Sequence, residues 1–297
     1  MSLEAIVAAL GGEVHPGGRT AHVAAPGHSR ADRSISLLLD GDRLVIHGFG
    51  AADWREVRDH LRRSGLIDRD GRLSASSREA SFAGSSDRLA PRPSVRARIA
   101  TAEALWRTAL LLKPGDLCQR HLASRGIPVP VMSEALRRSS EAPVSVFRQG
   151  GRTCPALIAA VCTPQGDLSA VEIAYLDPDG RAARDLRLPR KTVGVVPPGS
   201  SIRLCPAAGS MLVAEGVATT LSAMARFRLP GWALMSAGNL SAWRAPPGVR
   251  RVLIAADRGR AGEAAAARLQ RRLEAASLEA AVHLPPPGLG DWNDATP

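Results

Sequence analysis

The stretch Met211-Leu-Val-Ala-Glu-Gly216 is a short apolar run that ends abruptly in a carboxylate and a glycine. The stretch Arg251-Val-Leu-Ile-Ala-Ala-Asp257 repeats this pattern further along the chain. Two more apolar runs lie at 232–236 and 280–284, and helical segments separate the four runs, at 218–226, 240–243 and 261–276. Short continuous apolar runs that alternate with helices predict an α/β fold with a parallel sheet covered on both faces.

Acidic side chains end two of these four runs. Glu215 closes the first run and Asp257 closes the third in chain order. In open parallel sheets, ligands bind in the crevice beyond the carboxyl ends of the strands. The sequence therefore predicts an acidic site at that edge, with Glu215 and Asp257 as its first two members.

The charge balance favours a polyanionic partner. The 297 residues include 39 Lys and Arg against 28 Asp and Glu, a formal net charge of +11. Such an excess attracts nucleic acid. A second interpretation stays open, because only Lys113 and Lys191 are lysines and an arginine-rich composition is also typical of a GC-rich genome. The chain has no apolar run of membrane-spanning length and no signal segment at its N-terminus, so we expect a cytoplasmic protein without membrane contact.

Composition and periodicity divide the chain into four parts. We predict a small β-ribbon plus helix module at 1–73, a flexible basic linker at 74–98, an α+β subdomain at 99–205 and the alternating α/β domain at 206–297. In the first module the pattern predicts a helix at 3–10, strands at 20–25, 35–39 and 44–47, and a helix capped by Asp53. In the α+β subdomain it predicts helices at 99–112 and from Asp116 to Ser124, then strands at 156–162, 170–176 and 202–204.

Three cations in the second half of the chain are candidates for phosphate contacts. They are Arg190, Lys191 and Arg203. Arginine and lysine are the side chains that neutralise phosphates. The alternative, that these charges are solvated at strand edges, is equally compatible with the sequence.

The ordered set Ala214-Glu215-Gly216, Ile254-Ala-Ala-Asp257 and Gly290-Asp-Trp-Asn-Asp294 resembles a Toprim domain. The segment His121-Leu-Ala-Ser-Arg-Gly-Ile127 resembles the region that precedes this domain in phage and plasmid DNA primases. The N-terminal module is similar to their zinc ribbon, but Ala25, Gly48 and Ala51-Ala52 stand where that family has cysteines. Only His28 and His47 are left as candidate ligands. Zinc needs four nitrogen or sulfur ligands, so we expect a degenerate ribbon that binds no zinc.

The Toprim resemblance implies a four-stranded parallel sheet with flanking helices and a magnesium-dependent phosphoryl-transfer site. Glu215 would act as acid/base or metal ligand, and Asp257 would hold magnesium. Gly259 and Ala218 stand where the family has further carboxylates, so the magnesium site is expected to be weak or absent unless Asp291 and Asp294 supply ligands. Arg258 and Arg260 would oppose the metal but suit direct phosphate binding. Alternatively, Glu215 and Asp257 cap the helices or pair with these arginines.

Two functions from different classes follow. The first is a primase-like protein that acts on single-stranded or duplex DNA in the replication of a mobile element, with a separate replicative helicase as partner. The second is a catalytically degenerate Toprim module that binds nucleic acid or replication partners without chemistry. A Toprim nuclease is a third hypothesis, less favoured by the primase-like flanking segments.

Overall fold

The computed structural model describes residues 3–15, 18–26, 33–48, 54–73, 93–147, 150–186 and 188–295. The chain forms two compact units, Met1–Ala90 and Pro91–Pro297. Within the described ranges, no helix is long and apolar enough to cross a membrane.

The first unit is a four-stranded antiparallel sheet with two helices. Its elements are α1 (Leu3–Leu10), β1 (Gly12–Val14), β2 (Thr20–Val23), β3 (Ile35–Asp40), β4 (Arg43–Gly48) and α2 (Trp54–Arg63). The predicted helix at 3–10 and the three predicted strands are present, although the strand predicted at 20–25 ends earlier, at Val23. The sequence pattern missed β1, because three residues are too few to show an alternation. His47 lies on β4, whereas His28 and Asp53 lie outside the described residues.

The second unit begins with a five-stranded antiparallel sheet in the order β5-β6-β7-β8-β9. Its elements are α3 (Val95–Thr108), β5 (Leu110–Leu111), α4 (Leu117–Ser124), β6 (Leu136–Pro143), β7 (Thr153–Cys162), β8 (Leu168–Tyr175) and β9 (Arg190–Gly194). The predicted helix at 99–112 is wrong at both ends. It starts earlier, where the Ser94 side chain caps it, and it stops at Thr108 because Leu110 and Leu111 pair with β6 instead. The sequence also missed β6 and β9, whose charged residues hide the apolar alternation.

Strand alternation gives this sheet two different faces. Ile158 and Ile173 point to the face that α3 covers. Leu157 and Ala159 point to the opposite face, where they pack with Leu122 of α4. The second face therefore belongs to a core shared with the C-terminal part of the chain, and it forms one wall of the cleft described below.

The C-terminal part is a five-stranded sheet in the order β10-β12-β11-β13-β14. Its elements are β10 (Ile202–Arg203), β11 (Ser210–Ala214), α5 (Val217–Phe227), β12 (Gly231–Ala233), α6 (Ala237–Ala242), β13 (Arg251–Ala255), α7 (Arg260–Ala275) and β14 (Glu279–His283). Four strands are parallel, as predicted, and β10 adds an antiparallel edge. The strand predicted at 202–204 thus joins this sheet. The domain boundaries themselves stay predictions.

The strand order places a switch point at the centre of this sheet. From β11 the chain crosses to β12 on one side and then returns to β13 on the other side. Helix α5 covers one face of the sheet, and α6 and α7 contribute to the core on the other face. Because β12 and β13 lie on opposite sides of β11, the connections that follow β11 and β13 diverge, and a crevice opens beyond the carboxyl ends of these two strands. The residues that follow these two strands are the ones that a ligand would meet.

Candidate active site

Glu215 and Asp257 lie together at the switch point. Ala214 and Ala255 are direct partners in the parallel pairing of β11 with β13, and the two carboxylates follow them within two residues. Both side chains are half-buried. The charge of Glu215 contributes to the raised pKa of Asp257, so the carboxylates are close enough to repel each other. The predicted juxtaposition of these two residues is what the strand order produces.

Asp257 is the more strongly perturbed of the two acids. Burial, then the charges of Glu215, Asp291 and Asp294, raise its pKa to about 7. Its Oδ1 atom is buried and has no hydrogen-bond partner among the described residues. A buried carboxylate oxygen without a donor costs free energy. The side chain is therefore poised to take a proton or a cation.

Glu215 has a different environment. Burial raises its pKa, while the charge of Arg190 and a hydrogen bond from the backbone N–H of Ala237 act in the opposite direction. Arg190 lies on β9, in the other sheet of this unit. The first acid of the site thus interacts with a cation that the preceding part of the chain supplies.

The start of α7 is shaped around Asp257. Gly262 lies so close that a Cβ atom there would be 2.6 Å from the Asp257 carbonyl oxygen. Gly259 precedes the helix at φ 109°, and its N–H donates to the Glu263 carboxylate at 3.1 Å. A side chain at 259 would need a backbone conformation that L residues rarely adopt. The glycine found in place of a second aspartate therefore belongs to the turn that enters α7.

Arg258 and Arg260 differ in their contacts. The Arg258 Nε–H donates to the carbonyl oxygens of Pro285 and Pro286 at 2.8 and 3.3 Å. Arg260 is exposed at the first residue of α7. In the described part of the chain, neither arginine forms a salt bridge with Glu215 or Asp257. These contacts thus give no pairing of the acids with the two arginines, whereas the hydrogen bond from the Ala237 N–H to Glu215 is a capping contact at the start of α6.

The acidic tail folds back onto the domain. Asp291 Oδ1 accepts from the N–H groups of Asn293 and Asp294, and Asp294 Oδ2 accepts from the N–H groups of Gly290 and Asp291. Trp292 is 6% exposed and packs edge-on against Phe227. The tail is thus a turn anchored by an aromatic side chain. The carboxylates of Asp291 and Asp294 accept hydrogen bonds from backbone N–H groups within this turn. Their negative charges also raise the pKa of Asp257.

Asn293 joins the tail to the preceding subdomain. Its Oδ1 accepts from Arg125 Nε at 2.7 Å, and its Nδ2 donates to the Arg125 carbonyl at 2.7 Å and to Ser222 Oγ at 3.0 Å. Arg125 follows α4, and Ser222 lies on α5. The sequence identified Asn293 only as part of a tail motif. Its partner lies far away in the chain, and no local pattern could have found it.

A cleft of about 330 Å³ lies beside the acids. It is lined by α4, by the inner face of the antiparallel sheet, by the turn that starts α5 and by Asp291 of the acidic tail. Its lining includes His121, Arg125, Glu172, Arg190, Gly216 and Asp291. His121 Nδ1 donates to the Gly180 carbonyl at 2.8 Å, and burial lowers its pKa. The neutral ring therefore keeps its Nε2 as a hydrogen-bond acceptor. The sequence had no signal for Glu172, which stands alone in an apolar strand.

The other predicted phosphate contacts have partners of their own. Lys191 donates to the Val144 carbonyl and lies over the Tyr175 ring. The Arg203 guanidinium donates to the carbonyls of Thr163 and Pro164 and lies over Trp232. Arg190 is exposed and lines the cleft. Phosphate contact by Lys191, Arg203 or Arg258 would compete with existing hydrogen bonds. Among the described residues, the side chains of Arg190 and Arg260 form no hydrogen bond or salt bridge, although the charge of Arg190 interacts with Glu215 and Glu172.

The donor set fits a magnesium ion only in part. Among the described residues, no three His, Cys, Asp or Glu side chains are arranged to hold a metal. Magnesium, however, is usually bound by one or two carboxylates, with phosphates and water as its other ligands. The unpartnered Oδ1 of Asp257, surrounded by the negative charges of Glu215, Asp291 and Asp294, fits that requirement.

The fold and this carboxylate pair define a doubly wound α/β domain with an acidic site at its switch point. Residues 210–296 match the Toprim domain family, so the C-terminal part of the chain is a Toprim domain, as its motifs predicted. Residues 96–204 match a domain of unknown function, DUF7146. No curated protein matches the chain.

Solved structures of primases are similar to this chain. The Aquifex aeolicus primase, with its zinc-binding and RNA polymerase domains, is 14% identical over 98% of this chain and 78% of its own, with a TM-score of 0.45. The E. coli primase catalytic core is 14% identical over 66% and 74%, with a TM-score of 0.44. The primase fragment of the bacteriophage T7 primase-helicase protein is 14% identical over 67% and 80%, with a TM-score of 0.38.

Proposed function

We propose that this protein is a primase-like nucleotidyltransferase that acts on DNA through the acidic site of its Toprim domain. The observation that carries the proposal is the pair Glu215 and Asp257 at the ends of adjacent parallel strands, beside a cleft. Asp257 has an unpartnered buried oxygen there. The sequence motifs that resemble phage and plasmid primases support replication of a mobile element as the setting, with a separate replicative helicase as partner.

Each acid has its own role in this proposal. Asp257, helped by Asp291 and Asp294, would hold magnesium, which when bound offsets the negative charge of the transferring phosphoryl group. Glu215 would accept the proton of the attacking hydroxyl, because burial makes its carboxylate more basic than a solvated one. Arg190 would hold a phosphate at the cleft.

A second function also has specific observations in its favour. Gly259 and Ala218 remove two carboxylates that the Toprim resemblance implies, and the described residues contain no group of three metal ligands. A degenerate module that binds nucleic acid or replication proteins without chemistry would keep the fold and the cations. It would have no need of the free oxygen on Asp257.

Primer synthesis on a single-stranded DNA template distinguishes the two functions. We expect the wild-type chain to extend ribonucleotides in the presence of magnesium or manganese. Glu215→Gln and Asp257→Asn should each lower the rate by roughly 100-fold or more, because each removes a group used in the transition state. Glu279→Gln is the matched control. Glu279 is an exposed acid at the first residue of β14, at the edge of the sheet away from the acidic site.

DNA binding completes the test. If the wild-type chain forms no product, and its DNA affinity is insensitive to chelator and to both acidic substitutions, the degenerate binding module is the correct function. Cleavage of DNA without primer synthesis would favour the nuclease instead.

A further inference from the structure

Glu172 lies in the wall of the cleft, and the proposed chemistry gives its carboxylate no role. It lies in β8, opposite Ala159 of β7 and Thr192 of β9. The neighbours on the same face, Ala159 and Ala174, have small side chains that also line the cleft. The immediate neighbours of this carboxylate on the sheet are therefore small and apolar.

The surroundings of Glu172 leave its oxygens without a donor. The side chain is largely enclosed by protein, and the part that remains accessible opens into the cleft. Within the described ranges, no hydrogen bond or salt bridge to this carboxylate is found. Burial raises its pKa, and the charge of Arg190, diagonally opposite on β9, partly opposes that shift. A buried acid with no donor is costly to the folded protein. A bound ligand that donates a hydrogen bond to this acid would remove the cost.

The charge pattern of the cleft indicates which part of a ligand lies beside Glu172. Phosphates would be attracted to Arg190 and to the backbone N–H groups at the start of α5, where Gly216 provides no side-chain cap. Arg125 adds a further positive charge at the cleft, although its Nε already donates to Asn293. A carboxylate repels a phosphate. Of the groups that a phosphate-bearing ligand carries, an uncharged hydrogen-bond donor fits beside Glu172, because the carboxylate can accept from it.

We propose that Glu172 accepts a hydrogen bond from the sugar hydroxyls of a nucleotide bound in the cleft, and so selects ribonucleotides over deoxyribonucleotides. This inference rests on the proposed function, since it takes the ligand to be a nucleotide. A carboxylate is well suited to the role, because its two oxygens can accept from neighbouring hydroxyls. The 2′-hydroxyl is the group by which a protein distinguishes the two sugars. A base amino group is the other uncharged donor of a nucleotide.

Equilibrium binding to the full chain tests the role of Glu172. Three probes are needed: ATP, 2′-deoxyATP and purine riboside triphosphate, which keeps the ribose but lacks the amino group. We expect the wild-type chain to bind ATP and purine riboside triphosphate about equally and 2′-deoxyATP about tenfold more weakly. Glu172→Ala should lower the affinity for the two ribonucleotides about tenfold and leave 2′-deoxyATP nearly unchanged. Glu172→Gln, which keeps one acceptor oxygen, should have an intermediate effect.

The matched control is Glu141→Ala, because Glu141 is an exposed acid on β6 of the same sheet. It should bind all three probes as the wild type does, and thermal melts should show that all variants fold. A parallel loss of affinity for all three probes in Glu172→Ala would overturn the inference in favour of a structural role. Discrimination that follows the amino group would overturn it in favour of base recognition.

The two proposals fail in different ways. If the wild-type chain binds none of the three probes at millimolar concentration, the nucleotide cleft and the proposed function are both overturned. If nucleotides bind and primers form, but Glu172→Ala keeps the same preference for the ribose, only the role of Glu172 is overturned.

Discussion

The surroundings of Asp257 raise the pKa of its carboxyl group toward neutral pH. Burial and three neighbouring acids raise its pKa to about 7, against about 4 for an aspartate in an unfolded chain. The folded protein therefore binds this proton more tightly than the unfolded chain does. The resulting stabilisation is complete below pH ~4 and is lost as the pH rises through 7.

Asp257→Asn should consequently stabilise the protein in a pH-dependent way. The amide cannot ionise, so the free energy of unfolding should rise by on the order of 2 kcal/mol at pH 8, after allowance for screening in the open cleft. At pH 4 it should change little. Urea unfolding at the two pH values measures the difference, and Asp179→Asn, in an exposed turn, is the control. An equal effect at both pH values would show that the charge of Asp257 is not the cause.

Magnesium should act on the same group in the opposite direction. A cation beside Asp257 favours the ionised form, so added magnesium should stabilise the wild-type chain at pH 8 more than at pH 5. Asp257→Asn should lose this response. A magnesium effect that persists in the variant would place the ion elsewhere.

At the scale of elements, the site depends on how closely α7 approaches β13. Gly262 makes this approach possible, since a Cβ would meet the Asp257 backbone at 2.6 Å. Gly262→Ala should therefore displace the start of α7 and lower the free energy of unfolding by roughly 1–3 kcal/mol. It should also reduce primer synthesis, because Asp257 moves with the turn.

Gly238→Ala is the matched control for that substitution. Gly238 lies in α6, and the atom nearest to its added Cβ is Ser236 Oγ at 4.0 Å. Alanine is the better helix former, so this variant should be neutral or more stable by up to about 1 kcal/mol. Equal losses in both variants, measured by thermal unfolding, would mean that the close approach at Gly262 does not matter.

The same elements show what the sequence could and could not predict. The four parallel strands were predictable because each is a continuous apolar run, and the placement of Glu215 and Asp257 at their ends followed from that. The order of strands was not encoded locally, so neither β10 in the C-terminal sheet nor β9 beside β8 was predicted. The surroundings of Asn293 and Glu172 are formed by residues distant in the chain. A single polar residue in an apolar run does not indicate which residues it will contact. The zinc-free ribbon stays a prediction.

At the scale of the whole molecule, the net charge of +11 has two uses. Some cations form hydrogen bonds within the fold, and others are free to contact phosphates. Several cations are already used within the fold: Arg203, Lys191 and Arg258 all donate to backbone carbonyls. Arg190 and Arg260 are exposed, one at the cleft and one at the start of α7. Net charge therefore overstates the number of phosphate contacts that the second unit can make.

The salt dependence of DNA binding measures this division directly. The logarithm of affinity falls linearly with the logarithm of salt concentration, with a slope set by the number of phosphates neutralised. Arg190→Ala and Arg260→Ala should each reduce that slope by about 1, because each removes one contact. Arg203→Ala should leave the slope nearly unchanged and instead lower the melting temperature, since it removes bonds to Thr163 and Pro164. The reverse pattern, a lower slope in Arg203→Ala with none in the other two, would place the DNA on the face of the second unit that carries β10 rather than at the acidic edge of the sheet.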